Sequence, residues 1–127
     1  MKEVPQKPSI YIVDDDEAIR DSLDAYFTLK GMDVTAFASA QELLEYVEFE
    51  PSLLILDINM PDIDGLSLYE KLKERGDVAP TVLITGLGDP EVRERGERLG
   101  VAAIFDKPID TPVLYSTIKQ LLVRHVH

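Results

Sequence analysis

Residues 10–20 read IYIVDDDEAIR: four apolar residues run straight into three aspartates, Asp14, Asp15 and Asp16. A short apolar run of this kind reads as a buried strand. The residues after the aspartates have helical period, with Ile19, Leu23, Tyr26 and Phe27 spaced i, i+4, i+7 and i+8 on one stripe and Gly31 as its stop. The stretch is therefore a strand passing into a helix through a cluster of like charges. The fold depends on how often that unit recurs, and the function on why the charges stand there.

The unit recurs along the whole chain. Further β-rich runs are DVTAF (33–37), SLLIL (52–56), TVLIT (81–85) and AAIF (102–105), after SIYIV (9–13). Between them lie helical stretches. The second opens SAQE, a capping-box pattern of Ser39 with Glu42, and continues through Leu43, Leu44 and Val47. The third carries Leu68, Tyr69 and Leu72 after Asp64. The fourth opens with Asp89 as N-cap and Pro90 at the first helical position. The fifth opens DTP, with Val113, Leu114, Ile118, Leu121 and Leu122 on its inner face. Five strands alternating with five helices imply parallel βαβ crossovers in an α/β, doubly wound sheet. Runs one, three and four are almost wholly apolar and read as covered on both faces, whereas the more polar second run belongs near an edge.

Open sheets of this class place their sites beyond the carboxyl ends of the strands. Asp14 and Asp15 end the first strand, Asp57 the third (LLILDINMP) and Thr85 the fourth (TVLITGLGD), while Lys107 follows the fifth (IFDKP). With strand one between strands two and three, all five converge on one edge. Two carboxylates ~4 Å apart at an effective dielectric of ~20 repel by roughly 4 kcal/mol. Such a group protonates, separates or binds a cation, and oxygen-only ligands favour a hard ion such as Mg2+. Carboxylates, hard cation, lysine and hydroxyl together are what phosphoryl transfer requires, including transfer to a carboxylate nucleophile.

Taken singly, the residues have plainer explanations. Asp16 is most simply the N-cap of the first helix, and either neighbour would serve as well. Thr85 suits any strand, and Lys107 before Pro108 suits a solvated loop. Asp57 is harder to explain this way, because it closes an apolar run. The recurrence at successive strand ends is the signal.

VDDD (13–16), DINMPDIDG (57–65) with its Asp-x-x-Met-Pro-x-x-x-Gly spacing, ITG (84–86) and DKP (106–108) together resemble the receiver domains of two-component response regulators, over about residues 8–124. The resemblance implies a single receiver domain spanning 1–127, with a (βα)5 flavodoxin-like fold and strand order 2-1-3-4-5. It implies that Asp57 accepts a phosphoryl group from a sensor histidine kinase or phosphotransfer protein. Asp15, Asp57 and the main-chain carbonyl of Asn59 would bind Mg2+, with Asp14 acting mostly through water. Thr85 and Lys107 would bind the phosphoryl oxygens, and the Lys107–Pro108 bond would be cis. The surface of the fourth helix, fifth strand and fifth helix would change for a downstream protein or an attached output domain, with a phosphorylation-dependent dimer as a further form. Such a domain catalyses its own phosphorylation and dephosphorylation and is not a conventional enzyme. Two positions depart from the family's habit. Ile104 stands where many receivers have an aromatic switch residue; the resemblance makes Thr85 and Ile104 the expected switch positions, with reorientation of Ile104 or loop movement alone as the two routes for the signal. Leu87, two after Thr85, would hinder the water that removes the phosphoryl group.

Composition narrows the classes. The chain has 127 residues, 45% of them hydrophobic, enough for one core, and a formal net charge of −11. That charge speaks against nucleic acid and anionic membrane as partners. There is no cysteine, hence no disulfide, thiolate metal site or cysteine nucleophile. No apolar run approaches the ~20 residues of a membrane span, and the beginning MKEVPQKPS has no apolar signal region, so a cytoplasmic domain is expected. The fifth helix runs close to the end of the given sequence, and a stand-alone regulator and a receiver cut from a longer protein are both expected forms. DIDG at 62–65 fails as a calcium loop, since Met60 and Lys71 would occupy its first and twelfth positions. GLGDPE fails as a dinucleotide fingerprint, because Glu91 stands where its third glycine belongs. His125 and His127 read as terminal residues rather than metal ligands.

Two other functions compete. A Mg2+-dependent phosphatase or phosphotransferase of haloacid-dehalogenase type also uses a strand-end aspartate, but it wants an acid two residues later, where this chain has Asn59. A degenerate receiver serving as a scaffold is opposed by the intact set Asp14, Asp15, Asp57, Thr85 and Lys107.

Overall fold

A computed structural model describes residues 7–77, 79–86 and 89–126, with side chains as far as Val123. Leu87 and His127, and the side chain of His125, lie outside the described residues. In chain order the elements are β1 Ser9–Val13, α1 Glu17–Leu29, β2 Asp33–Phe37, α2 Ala40–Leu44, β3 Leu53–Asp57, α3 Gly65–Glu74, β4 Thr81–Thr85, α4 Pro90–Leu99, β5 Ala103–Asp106 and α5 Thr111–Val126. The strands form one parallel sheet in the order β2-β1-β3-β4-β5. This is the doubly wound arrangement expected of the alternating pattern, with the polar second strand at an edge. Strands β3 and β5 begin and end one residue later than the apolar runs suggest, so Asp57 and Asp106 are themselves strand residues.

The strands' two side-chain faces feed two cores. Ile10, Ile12, Ile55 and Ile84 pack with Leu23 and Phe27 of α1 and with Leu114 and Ile118 of α5. Tyr11, Val13, Leu54, Leu56 and Leu83 pack with Leu43 of α2, Leu68, Tyr69 and Leu72 of α3, and the half-buried Val92 and Leu99 of α4. Full burial of one such side chain contributes ~1.5–3 kcal/mol. Several of them on each strand outweigh the repulsion of a few carboxylates at the strand ends.

Local chemistry sets the helix starts. The Asp16 carboxylate accepts the N–H of Ala18 and of Ile19 at 2.9 and 3.4 Å, Asp64 accepts Ser67 N–H at 2.8 Å, and Asp89 accepts Glu91 N–H at 2.9 Å ahead of Pro90. Ser39 Oγ accepts Glu42 N–H at 3.2 Å. Glu42 returns the bond to Ala38 N–H at 2.9 Å, one residue before the cap, rather than to Ser39 itself. Gly31, at φ +87, lets the chain turn away from α1.

Two hydrophobic assignments are corrected. Val47 is not on α2, which ends at Leu44, and its side chain is 92% exposed. Tyr11 explains the early stop: its hydroxyl donates to Glu48 O at 3.0 Å and accepts from Glu50 N–H at 2.9 Å, while its ring meets those of Tyr46 and Phe49. The segment is drawn onto the sheet instead of continuing as helix. Val113 is half exposed, because it sits about 100° around the helix from the buried line of Leu114 and Ile118.

Candidate functional site

The site lies at the carboxyl end of the sheet. Val13 pairs with Leu56 in the β1–β3 register, so one step onward sets Asp14 beside Asp57. Asp57 pairs with Ile84, and Thr85 pairs with Asp106. The register thus brings Asp14, Asp57, Thr85 and the residue after Asp106, Lys107, to one edge. The Lys107–Pro108 bond is cis.

Asp14, Asp57 and Thr85 are buried, and Asp15 is exposed at the rim. Carboxylate oxygens of Asp14, Asp15 and Asp57 all lie within 4.8 Å of one another. Lys107 Nζ stands 3.6 Å from Asp14 Oδ2 and 3.4 Å from Asp57 Oδ1. Asp57 Oδ1 also accepts the N–H of Asn59 at 3.2 Å. One amine set against three carboxylates leaves the pocket with excess negative charge. Burial, then the neighbouring Asp14 charge, push the Asp57 carboxyl up to about 6, against the opposing pull of Lys107.

Asp14 Oδ2 is buried and, among the described residues, accepts no hydrogen bond, although Lys107 stands near it. A buried carboxylate oxygen without a donor is costly, and here it points to a cation as the missing partner. The donors are all oxygen, close together, with one carboxylate open to solvent. That set fits a hard divalent ion that keeps part of its water.

Two residues at the site were not assigned a part from the sequence. Gly65, the glycine of the Asp-x-x-Met-Pro-x-x-x-Gly spacing, opens α3 against the end of β3. A Cβ there would overlap the main-chain oxygen of Asp57 and come within 3.0 and 3.1 Å of Asp57 C and Ile58 Cα. Only a glycine lets α3 start this close beneath the carboxylate. The other is Arg20, whose Nη1 donates to the main-chain oxygen of Asp14 at 2.7 Å. Its sequence trace is slight: one cation shortly after three aspartates and a glutamate. Ile104 lies on β5 opposite Leu83, half-buried against the core that includes α4; no aromatic ring occupies that position.

A profile of the response regulator receiver domain matches residues 10–119. The transcriptional regulatory protein FixJ of Azorhizobium caulinodans is 30% identical over 122 residues, 95% of this chain and 58% of FixJ. The response regulator protein TmoT of Ectopseudomonas mendocina is 35% identical over 118 residues, 92% of this chain and 54% of TmoT. The chain thus spans little more than half the length of these relatives. Among solved structures, a CheY-like response regulator receiver domain protein from Methanospirillum hungatei superposes with a TM-score of 0.85 at 33% identity, covering 93% of this chain and 95% of that one. FixJ-N superposes with a TM-score of 0.82 at 28% identity, covering 93% and 95%. These likenesses extend over both cores and all five strand ends, and they favour neither a phosphatase nor a scaffold: the chain belongs to the receiver domains of two-component response regulators.

Proposed function

We propose that Asp57 is the phosphoacceptor of this receiver and that Mg2+ is the cation of its acidic pocket. The observation that carries the reading is a buried carboxylate, Asp57, that ends β3, meets Lys107 at 3.4 Å and lies within 4.8 Å of the carboxylates of Asp14 and Asp15. In the reaction an Asp57 oxygen forms a bond to phosphorus as the bond from phosphorus to the donor breaks; with a phosphohistidine donor the leaving group is the imidazole nitrogen. A carboxyl group at about 6 is more basic than a solvated one and still mostly ionised at pH 7, which suits a nucleophile. Mg2+, held by Asp15, Asp57 and the Asn59 carbonyl with Asp14 behind them, would offset charge on the transferring group. Lys107, 3.4 Å from Asp57 Oδ1, would meet a phosphoryl oxygen on that carboxylate. Thr85, buried one residue beyond the strand position opposite Asp57, would bond another.

The donor would be a sensor histidine kinase or a phosphotransfer protein. The output would be a separate protein or an attached domain that meets the α4–β5–α5 surface. Among the described residues no helix is long and apolar enough to cross a membrane. The test is incubation with acetyl phosphate, with Mg2+ or with a chelator, read by intact mass. Wild type should gain one phosphoryl group only with Mg2+, and Asp57→Asn should gain none. A phosphorylated Asp57→Asn protein would assign the acceptor elsewhere.

A further inference from the structure

We infer that Arg20 is the positioning residue of the cation site: its guanidinium, bonded to the main-chain oxygen of Asp14, sets the direction in which Asp15 presents its carboxylate. The inference rests on the reading of the acidic pocket as a Mg2+ site.

Three hydrogen bonds fix Asp14. Its N–H donates to Phe37 O at 3.2 Å, its Oδ1 accepts Asp16 N–H at 2.9 Å, and its carbonyl accepts Arg20 Nη1 at 2.7 Å. Asp15 has no such support. Its side chain is exposed, and among the described residues its carboxylate accepts no hydrogen bond. Where it points is therefore left to the main chain. The carbonyl that Arg20 holds belongs to the planar peptide unit joining Asp14 to Asp15. To hold that oxygen is to hold the plane, and with it the direction from which Asp15 leaves the strand. A short bond from a charged donor is about twice as strong as a neutral one. Arg20 is itself anchored in the first turn of α1, where its N–H donates to Asp16 O at 3.0 Å.

The choice of acceptor matters. Lys107 faces the carboxylates of Asp14 and Asp57, where it would compete with a metal. Arg20 meets only a main-chain oxygen at this turn, so it steadies the loop without occupying a ligand oxygen. Two opposing effects then separate a positioning role from a merely electrostatic one. If Arg20 were only a nearby positive charge, its removal would strengthen cation binding. If it positions Asp15, its removal weakens binding even though a repelling charge is gone.

The experiment measures Mg2+ binding by calorimetry, at a temperature where every variant is folded, with melting temperature in chelator as the separate measure of fold stability. The variants are Arg20→Gln, Arg20→Met and Arg20→Lys, with Asp15→Ala as reference. Loss of a partner that orients a ligand typically weakens metal affinity by 10–100-fold, so the Kd for Mg2+ should rise by roughly ten-fold in Arg20→Gln and Arg20→Met. Arg20→Lys, which keeps a cationic donor, should recover most of that loss. Arg20→Met keeps the aliphatic stem and gives the same comparison should the glutamine variant not fold. Equal or tighter Mg2+ binding in the neutral variants, with binding in wild type and none in Asp15→Ala, would overturn the role of Arg20 and leave the cation site standing. No Mg2+ binding by wild type would overturn both.

Discussion

Asp57 stands in a position that favours chemistry over stability. Its carboxyl group titrates at about 6 rather than the ordinary 3.8, so the native state holds that proton more tightly than the unfolded chain does. Stability from this group therefore rises as pH falls through about 6 and levels off below about 4, and ionised Asp57 destabilises the metal-free fold above pH 6. The difference between 3.8 and about 6 corresponds to roughly 3 kcal/mol. Asp57→Asn should accordingly be more stable than wild type at pH 8 in chelator, by on the order of 2–3 kcal/mol, and the gap should close toward pH 4. Urea unfolding at the two pH values checks this; a gap that does not change with pH would place the cause outside the Asp57 charge. At this scale the strand-end aspartates, Thr85 and Lys107 were legible from sequence because each closes or follows an apolar run. Arg20 was not, because its acceptor is a main-chain oxygen, and main-chain acceptors leave no mark on the residue pattern.

Helix α4 shows why element-level features are harder to read. Its sequence, PEVRERGERL, looks like a solvated helix weakened by a central glycine worth ~1 kcal/mol. In the fold Gly96 is buried, and a Cβ there would lie 3.1 Å from Ile104 Cδ1, 3.2 Å from Leu83 Cδ1 and 3.3 Å from Val101 Cγ2. The glycine lets the helix sit directly on Ile104. The charges on either side tie the helix to its neighbours, Arg93 to Asp106 at the end of β5 at 3.1 Å and Arg95 to Glu70 of α3 at 3.0 Å. Both pairs are well exposed, and such pairs contribute only ~0–1 kcal/mol each. Gly96→Val should crowd the three side-chain ends and cost roughly 1–3 kcal/mol, and it should speed hydrogen exchange in α4 more than in α1. A variant as stable as wild type, with unchanged exchange in α4, would show that the close approach is not needed. The misplacement of Val47 has the same origin as the hidden role of Gly96. Tyr11 acts on the chain from 35 or more residues away in sequence, beyond the reach of any local period.

Over the whole molecule, two apolar layers fix five strand ends, and the acidic pocket and the α4–β5 edge meet at Thr85, Asp106 and Lys107. A group bound at Asp57 thus lies next to the strand ends that carry α4. With a phosphoryl mimic and Mg2+ present, hydrogen exchange should change in residues 89–106 while the β1 and β3 cores stay protected. Change confined to α1 and β2 would locate the output surface elsewhere. The alternation of strand and helix, the edge position of the second run and the convergence of five residues were all open to reading, because parallel βαβ units allow few topologies. The acyl phosphate is expected on Asp57, and borohydride reduction reads its position. Reduction of an aspartyl phosphate leaves homoserine at the residue that carried it. After reaction with acetyl phosphate and Mg2+, peptide mass mapping should find homoserine at position 57 and aspartate at 14 and 15; homoserine at 14 or 15, or none at 57, would show that Asp57 is not the phosphoacceptor.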